Sequence, residues 1–274
     1  MHQSCGIIGV GDTMDRKNID KIAATEEDRV LLAKMWDKIQ GGIRKNISAH
    51  TGFLSPREQQ MAQFLFGDAP GLHFFGGHPD TERNMLVYLP DYLEECCLTE
   101  EDSPVVCIRA DFYREDSPTH RDFLGALMGS GITRECIGDI WVDSNTCDFF
   151  VTAEIADYIL QNFESAGRTS LKLHRLPLEQ AAPPEQKYSE ITDTVASVRL
   201  DSILSSGFRI SRSTAADYIA AGRAAIDGLP CEKAEKAVLE GAKLSVRGLG
   251  KIRLHKIGHT TKKGRISVVI HRYE

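Results

Sequence analysis

The sequence predicts an α+β protein assembled from three small α/β modules, at residues 14–115, 116–177 and 188–274. Three observations predict it. Helix-start signatures recur along the chain, separated by short runs that read as strands. A polar, Pro-rich stretch at 177–186 reads as a linker. Charge divides the chain soon after it. Residues 195–274 hold 15 Lys and Arg against 7 Asp and Glu, a net of +8, and the preceding residues hold 18 against 32, a net of −14. The overall charge of −6 conceals an acidic body carrying a basic module. A length of 274 residues with 42% hydrophobic content suffices for two or three folded cores.

The first module begins with Thr25-Glu-Glu-Asp28, which starts a helix that turns Val30, Leu31, Met35, Ile39 and Ile43 inward. Ser55-Pro56-Arg57-Glu58 is a capping box with Pro at the first helical position, and opens a helix to about Phe66. Residues 72–75, 83–89 and 105–112 read as strands. This unit is similar to an RNA-recognition-motif topology, an N-terminal helix plus an RRM-like sheet. It lacks the basic, aromatic-rich strands with which such modules stack bases, so base stacking is not expected of it.

In the second module Pro118 helps to open a helix over 120–129. Residues 139–142 and 148–151 form a hairpin across Ser144-Asn145. Thr152 caps an amphipathic helix over 153–165, Gly167 ends it, and 169–176 is a closing strand.

The third module opens on a short helix with Leu200, Ile203 and Leu204 on one face, ended by Gly207. Ser211 caps a second helix with Ala215, Ile219 and Ala220 inward. Gly222 suits the left-handed position after it. Residues 224–226 read as a strand and Asp227-Gly228 as a tight turn. Glu240-Gly241 is another turn, and 243–247 another strand. Arg199, Arg212, Arg223 and Arg247 have no evident core role. Concentrated positive charge on a compact module is the footprint of a polyanion binder, although a solvated basic face without a partner has the same composition.

Arg199-Leu-Asp201, Ser211-Arg212-Ser213, Ala215, Gly222, Ile226-Asp-Gly228 and Gly241…Leu244-Ser-Val246 resemble the RNA-binding domain named after small-subunit ribosomal protein four, the S-four (αL-type) domain. The resemblance implies that Arg199, Ser211, Arg212 and Arg223 grip structured RNA, with Arg247 nearby. Past the usual end of that domain, 251–257 and 265–271 alternate polar with apolar around a basic tip, a β-hairpin extension. Lys251, Arg253, Lys262, Lys263 and Arg265 either extend a phosphate-facing surface or guard exposed strands against aggregation.

Upstream, Pro118-Thr-His120-Arg121-Asp122-x-Leu-Gly125-Ala-Leu-Met128, Gly131-Ile-x-Arg134-Glu135 and Gly138-Asp-Ile140 resemble the YlmH family. Phe149-Phe-Val151, Glu154-Ile-Ala-Asp157-Tyr158, Leu54-x-Pro56-Arg57-Glu58 and Phe74-Phe-Gly-Gly77 extend the match, which covers about residues 18–274. The resemblance implies an RNA-binding central unit, and His120, Arg121 and Arg134 are its candidate cations. The alternative is that they cap and brace a helix. It also implies a cytoplasmic, bacterial, ribosome-associated factor. Its partners would be ribosomal RNA and tRNA on the large ribosomal subunit, in rescue of stalled translation with an RqcH-type tailing factor that adds alanine.

Other classes find little support. His120-Arg121-Asp122 lacks the Asn and the Gly-rich loop of a kinase. Gly6-Ile-Ile-Gly9-Val-Gly11 lacks the spacing of a dinucleotide fingerprint. The seven Cys are scattered without a C-x-x-C pair, which suggests reduced thiols and no zinc knuckle. No apolar run reaches membrane-spanning length, and the first residues lack the basic region of a secretory signal. A stronger helical pattern begins just after Met14, the expected start of the protein proper. No catalytic residue, metal or cofactor is expected. The alternatives are an RNA-modifying enzyme of pseudouridine-synthase or methyltransferase type with an appended S-four domain, and a binding protein of a division or assembly complex.

Overall fold

A computed structural model describes residues 15–93, 98, 103–184, 188–261 and 264–273. Residues 1–13, Met14 and the Cys96-Cys97 pair lie outside that set. The chain divides into two compact units, Met1–Pro184 and Glu185–Glu274.

The first unit opens with a single helical turn, α1 (Ile19–Ile22), and a long helix, α2 (Glu26–Lys45). Thr25 and Asp28 form a capping box at the expected start of α2, and Ser55 and Glu58 form the one expected on α3 (Pro56–Phe66). Leu32, Met35 and Ile39 of α2 pack with Met61, Leu65 and Phe66 of α3, whereas Val30 is exposed. Strands β1 (Ala49–His50), β2 (Leu72–Phe75) and β3 (Met85–Tyr88) form an antiparallel sheet in the order β1-β3-β2. Among the described residues it has three strands, not the four of an RNA-recognition motif.

The strand expected to complete that sheet lies elsewhere. β4 (Val105–Asp111) pairs with β6 (Thr146–Thr152) and β9 (Lys172–Leu176), and β5 (Ile137–Val142) closes the order β5-β6-β4-β9. A boundary at residue 115 therefore falls behind a strand of the central sheet. The physical reason is that every residue of β3 is buried. Leu86 and Tyr88 face the α2–α3 core. Met85 and Val87 pack on the other side with Val105, Cys107 and Phe150 of the central sheet. Successive side chains of a strand point to opposite faces, so one short strand joins two cores.

On the other face of the central sheet lie α4 (His120–Gly129) and α5 (Ala153–Asn162), through Phe123, Leu127 and Ile159 against Ile108, Phe149 and Val151. Thr119 caps α4 through its side chain, whereas Thr152 stands at the N-cap of α5 without a side-chain cap bond, and α5 ends at Asn162, short of the expected 165. Gly167 turns the small hairpin β7 (Ser165–Ala166) and β8 (Thr169–Ser170). The proposed linker starts later than expected, because Leu178 and Ala181 are buried in the shared core.

The second unit is a six-stranded antiparallel sheet under two helices. Its strands are β10 (Tyr188–Val195), β11 (Ala224–Ile226), β12 (Leu229–Pro230), β13 (Lys243–Val246), β14 (Gly250–Thr260) and β15 (Ile266–Tyr273). Their order is β10-β15-β14-β13-β11-β12. Helix α6 (Leu200–Phe208) and helix α7 (Arg212–Ala220) bury Leu200, Ile203, Leu204, Ala215 and Ile219 against Leu244, Ile252, Leu254, Val268 and Ile270. Ala220 is exposed.

Gly207 does not end α6. It lies within the helix, where an added Cβ would fall 2.5 Å from Ile252 Cδ1. The left-handed cap belongs to Arg209, at φ 55°. Strand β10 was not foreseen. It pairs along its whole length with β15, from Tyr188 opposite Tyr273 to Val195 opposite Ile266.

Candidate nucleic-acid interface

The N-termini of α6 and α7 converge on one carboxylate. Asp201, in the first turn of α6, is almost wholly buried at its side chain. Arg212, the first residue of α7, donates through Nη2 to Asp201 Oδ2 at 2.5 Å. Arg199, at the cap of α6, holds its Nε 3.5 Å from Asp201 Oδ1. Burial works against the charged carboxylate, yet the Arg212 hydrogen bond and the two guanidinium charges outweigh it and hold Asp201 below its ordinary pKa. Two cations against one anion leave a positive site. Ser211 caps α7 as expected, accepting from the Thr214 amide at 3.0 Å.

Arg212 is half exposed. It lines a groove of about 220 Å³ with Arg265, Ser202, Ser205 and Ser206. Arg265 is held there by Thr194, donating through Nε to Oγ1 at 3.0 Å and through Nη2 to the Thr194 carbonyl. The hydroxyls of Ser202, Ser205 and Ser206 are committed to Asp201, the Ile210 carbonyl and Asp193, and Asp193 itself lines the groove, so its positive charge comes from the two guanidinium groups.

The remaining cations lie apart. Arg223 sits 4.6 Å over the Tyr218 ring and donates to the Arg247 carbonyl at 2.6 Å. Arg247 in turn donates its amide to the Arg223 carbonyl at 2.9 Å. Arg253 donates to the Gly241 carbonyl at 3.2 Å and, like Lys251, is an exposed residue of β14. The arginines expected to have no core role are thus partly engaged in holding the unit together. Lys262 and Lys263 lie outside the described residues.

In the first unit His120 and Arg121 are exposed in the opening turn of α4. Arg134 is a brace. It donates to the carbonyls of Ile137 at 2.5 Å and Gly138 at 3.3 Å, and burial lowers its pKa. Arg83, which sequence reasoning missed, does the same, donating to Ile137 at 3.1 Å and Phe53 at 2.8 Å. Burial, followed by the neighbouring Arg134 charge, lowers its pKa to about 10. Both arginines line a groove of about 890 Å³ with Lys34, Lys38, His50, Glu58 and Glu154. Among the described residues no cluster of three His, Cys, Asp or Glu side chains is placed to hold a metal, and no helix is long and apolar enough to cross a membrane.

The arrangement is that of a modular α+β protein whose second unit spreads its positive charge over the helix junction and the strands of its sheet. Comparison with known proteins narrows the class. Residues 116–180 match the family model described as "Putative RNA-binding domain in YlmH". The chain is 33% identical over 226 residues to ribosome-associated protein quality control protein P2 of Bacillus subtilis (strain 168), covering 81% of this chain and 86% of that protein. The chain belongs to the YlmH family. Among solved structures it is similar to cell division protein ylmH from Streptococcus pneumoniae, at 19% identity and a TM-score of 0.48, covering 58% of this chain and 98% of that one.

Proposed function

We propose that the protein is a non-enzymatic RNA-binding factor of the cytoplasm that works on the bacterial ribosome. In this reading the second unit is an S-four domain that holds ribosomal RNA and tRNA on the large subunit. The task served is rescue of stalled translation, beside an RqcH-type factor that adds alanine. The family membership and the name of the Bacillus subtilis relative support a ribosomal setting. The match over residues 116–180 supports a second RNA surface in the first unit, with His120 and Arg121 as its exposed cations.

The observation that carries the reading is the convergence of Arg199 and Arg212 on Asp201 at the N-terminus of α7. The pairing pre-orders both guanidinium groups, so less side-chain freedom remains to be lost when a phosphate arrives. The helix N-terminus adds partial positive charge at the same place. Arg265, Arg223, Arg247, Lys251 and Arg253 supply further positive field over the unit.

Pelleting of the full chain with purified large subunits tests this. The parent is expected to pellet with large subunits. Arg212→Gln is expected to leave a larger share in the supernatant than the parent while keeping a cooperative melting transition. Equal pelleting of a folded Arg212→Gln chain sinks the site assignment. A protein-dependent nucleotide modification found by mass spectrometry of the RNA sinks the non-enzymatic reading.

A further inference from the structure

The face of the C-terminal sheet turned away from α6 and α7 carries three rings in a row. Tyr188 of β10 stacks on His271 of β15, with centroids 3.9 Å apart and planes 11° from parallel. His271 stacks on His255 of β14 at 4.1 Å and 15°. The stack therefore crosses three adjacent strands. His271, at its centre, is 8% exposed. Tyr188 is 49% exposed and His255 is exposed, so the two outer rings stay open to solvent. Tyr273 pairs directly with Tyr188 and adds a fourth aromatic residue to this face.

Strand alternation explains the placement. Ile270 points into the core beneath the helices, so His271 points away from it. The same holds for Leu254 and His255. The register of β14 against β15 shifts between Leu254 and Lys256, which leaves His255 as the extra residue of a bulge. A bulge re-aims a side chain. Here it leaves both His255 and Lys256 exposed, one in the stack and the other beside it.

The setting is basic. Arg253 is the register partner of His271 on one side and of Lys243 on the other. Lys251 is an exposed residue of the same strand. Glu190 Oε2 lies 3.5 Å from His271 Nε2, and Glu240 reaches β14 next to Lys256, accepting from the Ile257 amide at 2.7 Å. The His271 nitrogen is buried and has no hydrogen-bond partner. A core role does not account for three stacked rings on the solvent side of a sheet, ringed by Lys243, Lys251, Arg253 and Lys256.

We propose that Tyr188, His271 and His255 form a stacking platform for unpaired RNA bases, on the sheet face opposite the helix pair. An unstacked base lies on an outer ring, and the flanking cations hold its phosphates. The idea rests on the RNA-binding reading of this unit and adds a second surface to it. The helix face takes phosphates of structured RNA, and the sheet face takes single-stranded nucleotides.

The test uses the full chain with two probes, a short single-stranded uridylate oligonucleotide and a perfectly paired RNA hairpin. Tyr188→Leu and His255→Ala are each expected to weaken uridylate binding about tenfold, within the range of one lost base–ring stack. Tyr188→Phe, which keeps the ring, is expected to bind like the parent. Hairpin affinity is expected to stay unchanged in all three. Tyr188→Leu that lowers the melting temperature yet binds uridylate normally shows a purely structural stack and overturns the proposal. To avoid dependence on variants, an iodouridine-substituted oligonucleotide is photocrosslinked to the parent. Crosslinks at Tyr188 or His255 support the platform, and crosslinks confined to other peptides overturn it. If the parent binds neither probe, the RNA-binding reading itself falls, and the platform with it. Hairpin binding without ring-dependent uridylate binding removes the platform alone.

Discussion

Arg212 reaches across the junction of α6 and α7 to donate to Asp201 at 2.5 Å, so a residue suited to gripping RNA also joins the two helices. A fully solvated arginine would tolerate charge inversion within about 0.5 kcal/mol. Here inversion sets a second carboxylate against a buried one. Arg212→Glu is expected to cost about 1–2 kcal/mol, a figure reduced because half of the Arg212 side chain remains in water. Arg212→Gln is expected to cost less than about 1 kcal/mol. Urea denaturation of both variants checks the order, and equal costs would show that the ion pair is idle.

Gly207 is a packing position. A Cβ there meets Ile252 Cδ1 at 2.5 Å, inside a fully buried cluster. Gly207→Val is expected to destabilise the second unit by about 1–3 kcal/mol through overpacking. Combining it with Ile252→Val is expected to return part of that loss. A denaturation midpoint unchanged from the parent would rule out the close approach.

Ile219 is wholly buried between α7 and the sheet. Ile219→Asp is expected to unfold the second unit, because a lone buried carboxylate has no partner to offset its desolvation. Circular dichroism would show loss of the transition belonging to that unit. A native-like melt would place Ile219 on the surface.

Acid sensitivity of the first unit is expected to centre on Asp28. Arg57 holds it with a bidentate pair at 2.8 and 2.6 Å, and that hydrogen bond is the largest cause lowering the Asp28 pKa from 3.8 to about 2. A depressed folded pKa gives stability that is present above the unfolded value and is lost as pH falls through the folded one. The melting temperature is therefore expected to drop as pH falls from about 4 towards 2. Asp28→Asn is expected to be less stable at neutral pH and to show a shallower acid slope. Parallel slopes for parent and variant would assign the acid response to other groups.

RNA affinity is expected to fall steeply with salt. Each phosphate neutralised contributes a slope of roughly −0.7 to −0.9 in log affinity against log salt. Arg212→Gln is expected to reduce the slope by about one such contact. An unchanged slope would remove Arg212 from the interface.

Much of the helical structure was legible because its rules are local. Thr25 with Asp28 and Ser55 with Glu58 mark their helices within four residues, and both capping boxes are present. What depends on distant partners was not legible. β10 is exposed at most positions, so it shows none of the apolar alternation that marks a half-buried strand. β4 looked like a neighbour of β3 because it follows it in sequence, yet its partners are β6 and β9. Gly207 resembled a helix stop, since the side chain that excludes a Cβ lies on β14. The basic residues of the second unit were visible as a charge excess. Their division among the Asp201 pair, the Arg223–Arg247 contact and the two sheet faces depends on packing across the unit. A hint lay in Asp201, an acid two residues after Arg199 in a basic stretch and at the start of an apolar helix.

The pairing of β10 with β15 has a consequence for how the molecule is made. These are the first and last strands of their unit, and the loop they close contains every other element of it. Closing so long a loop is the slow, entropically costly kind of contact. During synthesis β10 emerges early and has no partner until the last strand leaves the exit tunnel. Completion of the sheet therefore waits on β15, and until Ile266–Tyr273 are in place β10, an edge strand even in the finished sheet, is unpaired along both of its edges.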